Sequence, residues 1–556
     1  MNRTSPSRCL FIVDKYRKVI ICTALFTILL VGVRASTDYG LGWDEKNNRQ
    51  YGHIIYNHVF GAGDNLLERY PSYRWHQGTV DSAEQFWHPT NGQFAQTHGP
   101  VYEVFLFSVE RLLSLDDSRD IYQFRHLAGF CTFFIGIIFF YSVCFLYLKS
   151  WKLALLGMVL LALSPRLFSH AFHNSIDIPF FTAFTLCLLT LYWFLEKKTF
   201  LYALAHACAT ALLVDIRIAG GVVPVITFAF YFLDCLVLPR KRSLSRLLGY
   251  LAVYAAASAI LTALLWPALW GNSIVRFIDV LRASGSDPWP FWEIYFGHKV
   301  YGRGVPWHFT PVWLAITTPP LYLVFFVAGM IGLLQNFRTD PARWYSKRRF
   351  ELAALAGFLL PLIVVAVTHA TLFNGWRHLF FIYSGFLVIA LSGVRFLANQ
   401  FHSLYRIGAV SYYAFIGIIA VSLGYTGAYM YRIHPYQNVY FNQLVGGLQG
   451  AKGYFEIGFW GVEYREGLEY LIKYEQDPEI RFWQSDEVTG FNRLILPRED
   501  RGRLILTPKN PEYYLGNYFH FGKKSANWPK YYNEKCKVWS RTIDGVEILS
   551  LFRFSC

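Results

Sequence analysis

The 556-residue chain reads as a mostly α-helical, polytopic membrane protein of about eleven transmembrane helices followed by a small C-terminal α/β domain. Three observations predict this class. Hydrophobic residues make up 54% of the chain and aromatic residues 19%, with a mean hydropathy of +0.28. Apolar runs of membrane-spanning length recur along the sequence until about residue 432, where they stop. The charge balance is basic, 52 Lys and Arg against 37 Asp and Glu, and these cations lie in short loops between the apolar runs. A nucleic-acid binder would gather them on a soluble face instead, so the expected surroundings are membrane lipid and no nucleic acid.

The elements follow in order. Basic residues precede an apolar run near 19–34 with no small-residue cleavage site after it, so this is an uncleaved first span. Further spans are expected near 124–148, 153–168, 178–195, 200–214, 219–238, 247–266, 311–334, 351–368, 378–397 and 407–429. The segment "HGPVYEVFLFSVERLLSL" (98–115) sets Glu103 and Glu110 on one helical face, with Arg111 beside the second, among apolar neighbours. That pattern fits an amphipathic helix lying at the interface. With it excluded, "LKSWK", "EKK", "PRKRSLSR", "FRTDPARWYSKRR" and "NQFHSLYR" share a side with the basic N-terminus, as expected for a cytoplasmic N-terminus.

An odd number of spans sends the C-terminus outside. The expected division is a transmembrane catalytic region over 1–431, its first outer loop (35–123) carrying juxtamembrane helices, and an extracytoplasmic domain over 432–556. In the latter, "VEYREGLEYLIKYEQ" has helical periodicity, while "RLILTP" and "KVWSRTIDGVEILSLFRF" read as strands. Asp544-Gly545 supplies the second with a type I′ turn. Seven of nine cysteines lie in or near spans, where a thiol behaves as a small apolar group. Cys536 and Cys556 form a disulfide or remain two thiols; both readings stay open. The one Asn-X-Ser/Thr sequon, at Asn2, falls on the inner side, which favours a bacterial plasma membrane.

This topology places Asp44 and Glu45, in "STDYGLGWDEKNNRQYG", at the start of the first outer loop. Asp177, in "SPRLFSHAFHNSIDIPFF", faces the same interface. Each acid has an ordinary explanation, in the first turn or at the N-cap of a helix. Their coincidence on one face, with Arg217, Lys299, Arg303, Arg377 and His378 on that face too, points to a reaction centre. Outside the cytoplasm an activated sugar must arrive in the bilayer, on a polyprenyl phosphate. Such a phosphate leaves readily once cations hold it, so the chemistry needs one carboxylate to take a proton from an acceptor hydroxyl. It does not need the acid that a glycosidase uses on its leaving group.

The order of a basic N-terminus, a first span, the loop-opening "DE" (44–45), "HGP" (98–100), "RHLAGF" (125–130) and "SPRLFSHAFHNSIDIPF" resembles the GT-C membrane glycosyltransferases. It is most similar to their family 39-like branch of protein O-mannosyltransferases and the lipid A aminoarabinose transferase. "RHLFFIYSG" and "HPYQNVYFNQLVGGLQGAKGYFEIGFWG" resemble segments of bacterial members of that branch. The resemblance implies Asp44 as catalytic base, Glu45 as its substrate-contacting neighbour and Asp177 as a further active-site acid. It implies Arg217 and Arg377 on the donor phosphate, with His98 and His378 among the substrate contacts. "HFTPVWLAITTPP" has Thr317 where relatives carry a Lys, so Lys299, Arg303 and His308 stand as substitute cations.

His88 and His98 with Glu103 lack a specific ligand spacing, so no metal site is assigned, and a divalent cation stays open as a cofactor. Trp266, Trp270, Trp289, Trp292 and Trp307 belong to interfacial aromatic belts or stack on sugars. The implied reaction is an inverting transfer of a sugar from a polyprenyl-phosphate donor to an envelope glycan, lipid or protein. The other reading is a multispan transporter or lipid flippase. Against it, the charges crowd one face and no internal repeat is visible.

Overall fold

The computed structural model describes residues 14–61, 98–238, 243–284, 292–335, 340–403, 408–518 and 533–555. His88 and Trp289 lie outside them, as does Cys556. Among the described residues, eight helices are long and apolar enough to cross a membrane. They run from Arg17–Ala35 to Val410–Arg432. A bent pair, Trp151–Ala162 and Pro165–His173, makes a ninth if taken as one span, and the shorter apolar helices Phe200–Ile216 and Pro320–Leu334 lie in two further runs expected to span. The chain is a polytopic helical membrane protein.

Two expected spans are not straight, and proline is the reason in both. Pro165 forces Ser164 into an extended conformation, and the two halves of that span meet at 63°. The run expected over 311–334 divides at Thr318-Pro319 into helices Phe309–Thr317 and Pro320–Leu334. The carbonyls freed at this break are met by one residue. Asn442 Nδ2 donates to the oxygens of Ala315 and Thr318 at 2.6 Å each, while its backbone N–H donates to Ile316 at 2.8 Å.

Elsewhere the helix ends follow local chemistry. Asp117 caps the Ser118–Leu148 helix by accepting from Arg119 N at 2.8 Å. Asp340 does the same for the helix that begins at Pro341, accepting from Arg343 N at 3.0 Å. At the loop ends expected to face the cytoplasm, buried Asp234 accepts from Lys198 at 2.7 Å, Arg349 at 2.8 Å and Tyr345 at 2.8 Å. Some basic residues of those loops are therefore counter-ions to a buried carboxylate.

The segment 98–115 forms the helix Val101–Leu112, with its polarity turned inward. Glu103 and Glu110 are buried, whereas Phe105 and Leu112 are exposed. The helix thus buries both carboxylates together with Leu106 and Phe107 and leaves Arg111 exposed. Glu110 accepts from Arg49 Nε at 2.8 Å and Arg125 Nη1 at 2.6 Å, and Arg125 also pairs with Glu103. Removing one partner of a buried ionic network strands the remainder and costs about 3–5 kcal/mol. Arg125→Leu is therefore expected to lower the thermal unfolding midpoint of the detergent-solubilised protein by several degrees, and Arg111→Leu, at an outer position, to leave it nearly unchanged.

The C-terminal part carries a five-stranded mixed sheet in the order β4-β3-β5-β7-β6. Its strands are β3 Ile480–Gln484, β4 Leu504–Leu506, β5 Tyr513–Asn517, β6 Lys537–Ile543 and β7 Val546–Arg553; a separate hairpin, β1 Trp292–Tyr295 with β2 His298–Tyr301, precedes them in the chain. β3 runs parallel to β4 and β5, and β7 is antiparallel to β5 and β6. The β6–β7 turn at Asp544-Gly545 has positive φ at both residues, 48° and 75°, as a type I′ turn requires. The helix Tyr464–Tyr474 packs Leu468 and Leu471 against Phe482, Leu515, Leu549 and Leu551. Cys536 is disulfide-bonded.

Glu463, at the start of that helix, is buried, and burial raises its carboxyl to about 8, with nearby Asp486 adding to the rise. An acid raised in the folded state contributes stability at low pH that is lost as pH climbs from its ordinary value near 4.5 through 8. Asp486, raised to about 6 chiefly by burial, acts in the same direction over a lower range. Thermal melts are expected to show a midpoint that falls as pH rises from about 4.5 to 8 in the native chain, reporting a loss of stability on the order of a few kcal/mol. Glu463→Gln should flatten that part of the profile.

Candidate active site

The first loop is fixed before it reaches Asp44. Leu41 N donates to Asn492 Oδ1 at 2.8 Å, and Asn492 Nδ2 donates back to Leu41 O at 3.1 Å. Tyr39 Oη donates to Gln437 Oε1 at 2.6 Å, and Arg465 Nη1 donates to Tyr39 O at 3.0 Å. Residues 39–42 are thus clamped by the C-terminal part, and Asp44 follows at the N-cap position of the helix Glu45–Phe60.

Asp44 makes no capping hydrogen bond. Its Oδ2 instead accepts from Arg377 Nη1 at 2.8 Å. At Asp177, Asn174 Oδ1 receives the backbone N–H of Ile176 at 3.2 Å and of Asp177 at 2.9 Å, and Asn174 Nδ2 donates back to Asp177 Oδ2 at 2.9 Å. The Asp177 carboxylate also accepts from Arg217 Nη1 at 2.8 Å, and its Oδ2 stands 3.6 Å from Arg377 Nη1. The ordinary helix-end account therefore does not explain Asp44, and it covers only the Asn174 contacts of Asp177. Residues 44, 177, 217 and 377, distant in sequence, form one alternating chain of two carboxylates and two guanidinium groups.

His98 and His378 complete this cluster. Arg217 Nε donates to His98 Nε2 at 3.1 Å, and Arg217 Nη1 lies 3.4 Å from the His378 carbonyl oxygen. The "HGP" element has a steric reason. Gly99 N donates to Asp215 O at 2.5 Å, and a Cβ on Gly99 would come within 2.3 Å of that same oxygen. Asp215 Oδ2 also accepts from Val101 N at 3.0 Å, which satisfies the start of the next helix. Glycine at 99 thereby lets His98 reach Arg217.

Other expected residues lie differently. Glu45 turns away from Asp44: its carboxylate accepts from Gly42 N at 2.7 Å and meets His126 Nε2 at 3.0 Å. Lys299 sits on the β1–β2 hairpin, 3.9 Å from the Trp292 ring centre. His308 Nδ1 is 2.7 Å from Tyr295 Oη, and Arg303 is exposed. None of these contacts reaches Asp44, Asp177 or Arg377. Trp266 is fully buried, whereas Trp270 and Trp307 are exposed.

Sequence reasoning passed over a second cluster beside the first. Glu293, on β1, accepts from Trp313 Nε1 and Gly375 N at 3.0 Å each. Gly375 has φ of +69°, a conformation that suits glycine. Arg166 lies over the rings of Trp313 and Phe441. Burial raises the carboxyls of both Glu293 and Glu456 above the ordinary range. Lone carboxylates within "PFWEIYF" and "GYFEIGFW" were the available signal, since a charge amid aromatic residues marks a buried polar site.

No metal is assigned to the Asp44–Asp177 arrangement. The two carboxylates already flank guanidinium groups, and among the described residues no three His, Cys, Asp or Glu side chains converge as a metal-binding group.

The helical membrane part carries one cluster of two acids and two arginines, and its fold is similar to that of solved proteins. The oligosaccharyltransferase of Archaeoglobus fulgidus, in its apo form, matches at 13% identity with a TM-score of 0.50, over 88% of this chain and 65% of that one. ArnT from Cupriavidus metallidurans in the apo state matches at 13% identity and a TM-score of 0.46, over 97% of this chain and 98% of that one. The same protein bound to undecaprenyl phosphate matches at 12% identity and a TM-score of 0.43, with the same coverages of 97% and 98%. This chain thus spans about two thirds of the archaeal enzyme. No protein-family model and no curated protein sequence matches it.

Proposed function

We propose that the chain is an integral-membrane inverting glycosyltransferase that moves a sugar from a polyprenyl-phosphate donor to an extracytoplasmic glycan, lipid or protein. The observation that carries this reading is the sharing of Arg377 by Asp44 and Asp177. The fold held in common with an oligosaccharyltransferase supports it. On this reading residues 1–431 are the catalytic membrane domain, and residues 432–556 are an extracytoplasmic domain that holds the first loop in place. The chain sits in a bacterial plasma membrane with its N-terminus in the cytoplasm.

The donor phosphate binds Arg377 and Arg217, not Lys299, Arg303 or His308. Arginine's planar fork suits phosphate, and an incoming phosphate competes with Asp44 for Arg377. Asp44, released, accepts the proton of the acceptor hydroxyl as its oxygen attacks the anomeric carbon. The bond from that carbon to the phosphate oxygen breaks, and polyprenyl phosphate departs against the guanidinium groups. Asp177 keeps Arg217 and Arg377 in place, and Glu45 anchors the helix behind Asp44 through His126.

The test is mass spectrometry of lipid-linked sugars and envelope glycans in a deletion strain carrying native or Asp44→Asn protein. An accumulated polyprenyl-phosphate sugar and an undecorated acceptor are expected in the deletion and in the variant, and not with the native chain. Unchanged acceptors in the deletion strain would overturn the proposal.

A further inference from the structure

Arg377 takes its place from the turn that precedes it. Asn374 and Gly375 both have positive φ, 61° and 69°, a backbone pair that needs outside support. The support is a closed ring built on four hydrogen bonds. Gly375 N donates to Glu293 Oε2 at 3.0 Å, and Trp313 Nε1 donates to Glu293 Oε1 at 3.0 Å. Thr317 Oγ1 donates to the Trp313 carbonyl oxygen at 2.6 Å and accepts from Trp376 Nε1 at 2.9 Å. The ring joins strand β1, the helix Phe309–Thr317 and the turn 374–376, and Arg377 is the next residue along the chain. Glu293, Trp313, Thr317 and Trp376 are all buried. A Cβ on Gly375 would lie 3.5 Å from the Trp313 ring, so the turn rests directly on that indole.

The chemistry of the ring explains its residue types. Two N–H groups aimed at two carboxyl oxygens call for an acceptor at both positions, which a carboxylate supplies and an amide does not. Glu293 keeps that form more readily than its neighbour Glu456. Burial raises both carboxyls, but the Gly375 N–H, the Trp313 indole, the Asn374 backbone and then the Arg166 guanidinium all favour the charged form of Glu293. Thr317 has no charge to offer a phosphate, and its hydroxyl is engaged in the ring both as donor and as acceptor. One residue beyond Trp376, Arg377 Nη1 meets Asp44 Oδ2 at 2.8 Å and stands 3.6 Å from Asp177 Oδ2. A turn that shifts carries the guanidinium with it, and a displacement of about 1 Å at a reacting centre can cost on the order of 10² in rate.

We propose that Glu293 and Thr317 are positioning residues for Arg377, fixing the turn from which its guanidinium reaches the donor phosphate and both acids. The proposal rests on the glycosyltransferase reading given above, in which Arg377 binds that phosphate. It gives the β1–β2 hairpin a part in donor binding through the backbone it holds.

The test measures the affinity of the full chain in nanodiscs for undecaprenyl phosphate. Glu293→Gln, which turns an amide nitrogen toward an N–H donor, is expected to weaken binding about tenfold. Thr317→Val, similar in shape and without the hydroxyl, should weaken it by a comparable factor, and Thr317→Ser should restore it to within about twofold of native. A double-mutant cycle separates positioning from general support. In an Arg377→Met background, itself weaker in binding, Glu293→Gln should change affinity by less than about twofold, because it acts through the missing guanidinium. An equal loss in both backgrounds would make Glu293 a general structural support and overturn the proposal. So would native affinity in both Glu293→Gln and Thr317→Val, or a Thr317→Ser protein as weak as Thr317→Val. A native protein that fails to bind undecaprenyl phosphate, or binds it no better than Arg377→Met does, would overturn the donor-phosphate reading itself, and the positioning role with it.

Discussion

Asp44→Asn is expected to lower turnover of a polyprenyl-phosphate sugar by about 10²–10⁴-fold while the protein still folds and binds its donor. Asparagine keeps the shape of the side chain and loses its proton-accepting charge. The fold should tolerate the change because Asp44 makes no helix-capping hydrogen bond, and Leu41 remains held by Asn492. Arg377 keeps Asp177 as a counter-ion at 3.6 Å. A variant with near-native turnover would remove Asp44 from the chemistry. One that loses donor binding as well would make Asp44 a positioning residue. Donor affinity and single-turnover rate, measured on the same preparation, distinguish these outcomes.

Arg377→Met is expected to be as severe and to differ in kind. The guanidinium group stands at the meeting point of both acids and, in the mechanism proposed, takes up charge that develops on the leaving phosphate. Loss of one such electrostatic contact costs about 10²–10³-fold in rate. The donor KM should rise at the same time, because the phosphate is bound through this group before the reaction too. Arg377→Lys restores charge but not the planar guanidinium suited to a phosphate, so it should recover only part of each loss. An Arg377→Met protein with unchanged donor KM would contradict the assignment.

These effects hinge on contacts only partly legible in the sequence. Hydropathy located the apolar helices because a bilayer imposes a length and a composition on each one. The same signal is blind to direction within a run. It therefore missed the bends at Ser164-Pro165 and Pro319, although proline in the letters marked both. The Asp544-Gly545 hairpin was readable because few residue pairs accept positive φ twice. Strands β3 and β5 were not, being short runs whose partners lie far away in the chain.

At the site, Asp44 and Asp177 stood out by position and the histidines by motif. The assignment of counter-ions was beyond the reach of sequence, because it depends on which side chains the packing brings within 4 Å. Glu45 illustrates this most clearly. Adjacent to Asp44, it nonetheless points to His126, since neighbouring residues at a helix start face different directions. Glu103 and Glu110 show the same limit. Their spacing identified a polar face, but only the structure revealed that this face turns inward, toward Arg125 and Arg49.

The central claim is that Asp44 acts as a base in a single displacement. Loss of activity in Asp44→Asn does not by itself separate a base from a nucleophile, since both roles need the carboxylate. The configuration of the transferred sugar does, because a covalent glycosyl–enzyme intermediate requires two displacements and restores the original configuration. NMR of the anomeric proton in the first product formed by the native enzyme should show the configuration opposite to that in the donor. Retention of the donor's configuration would contradict the account.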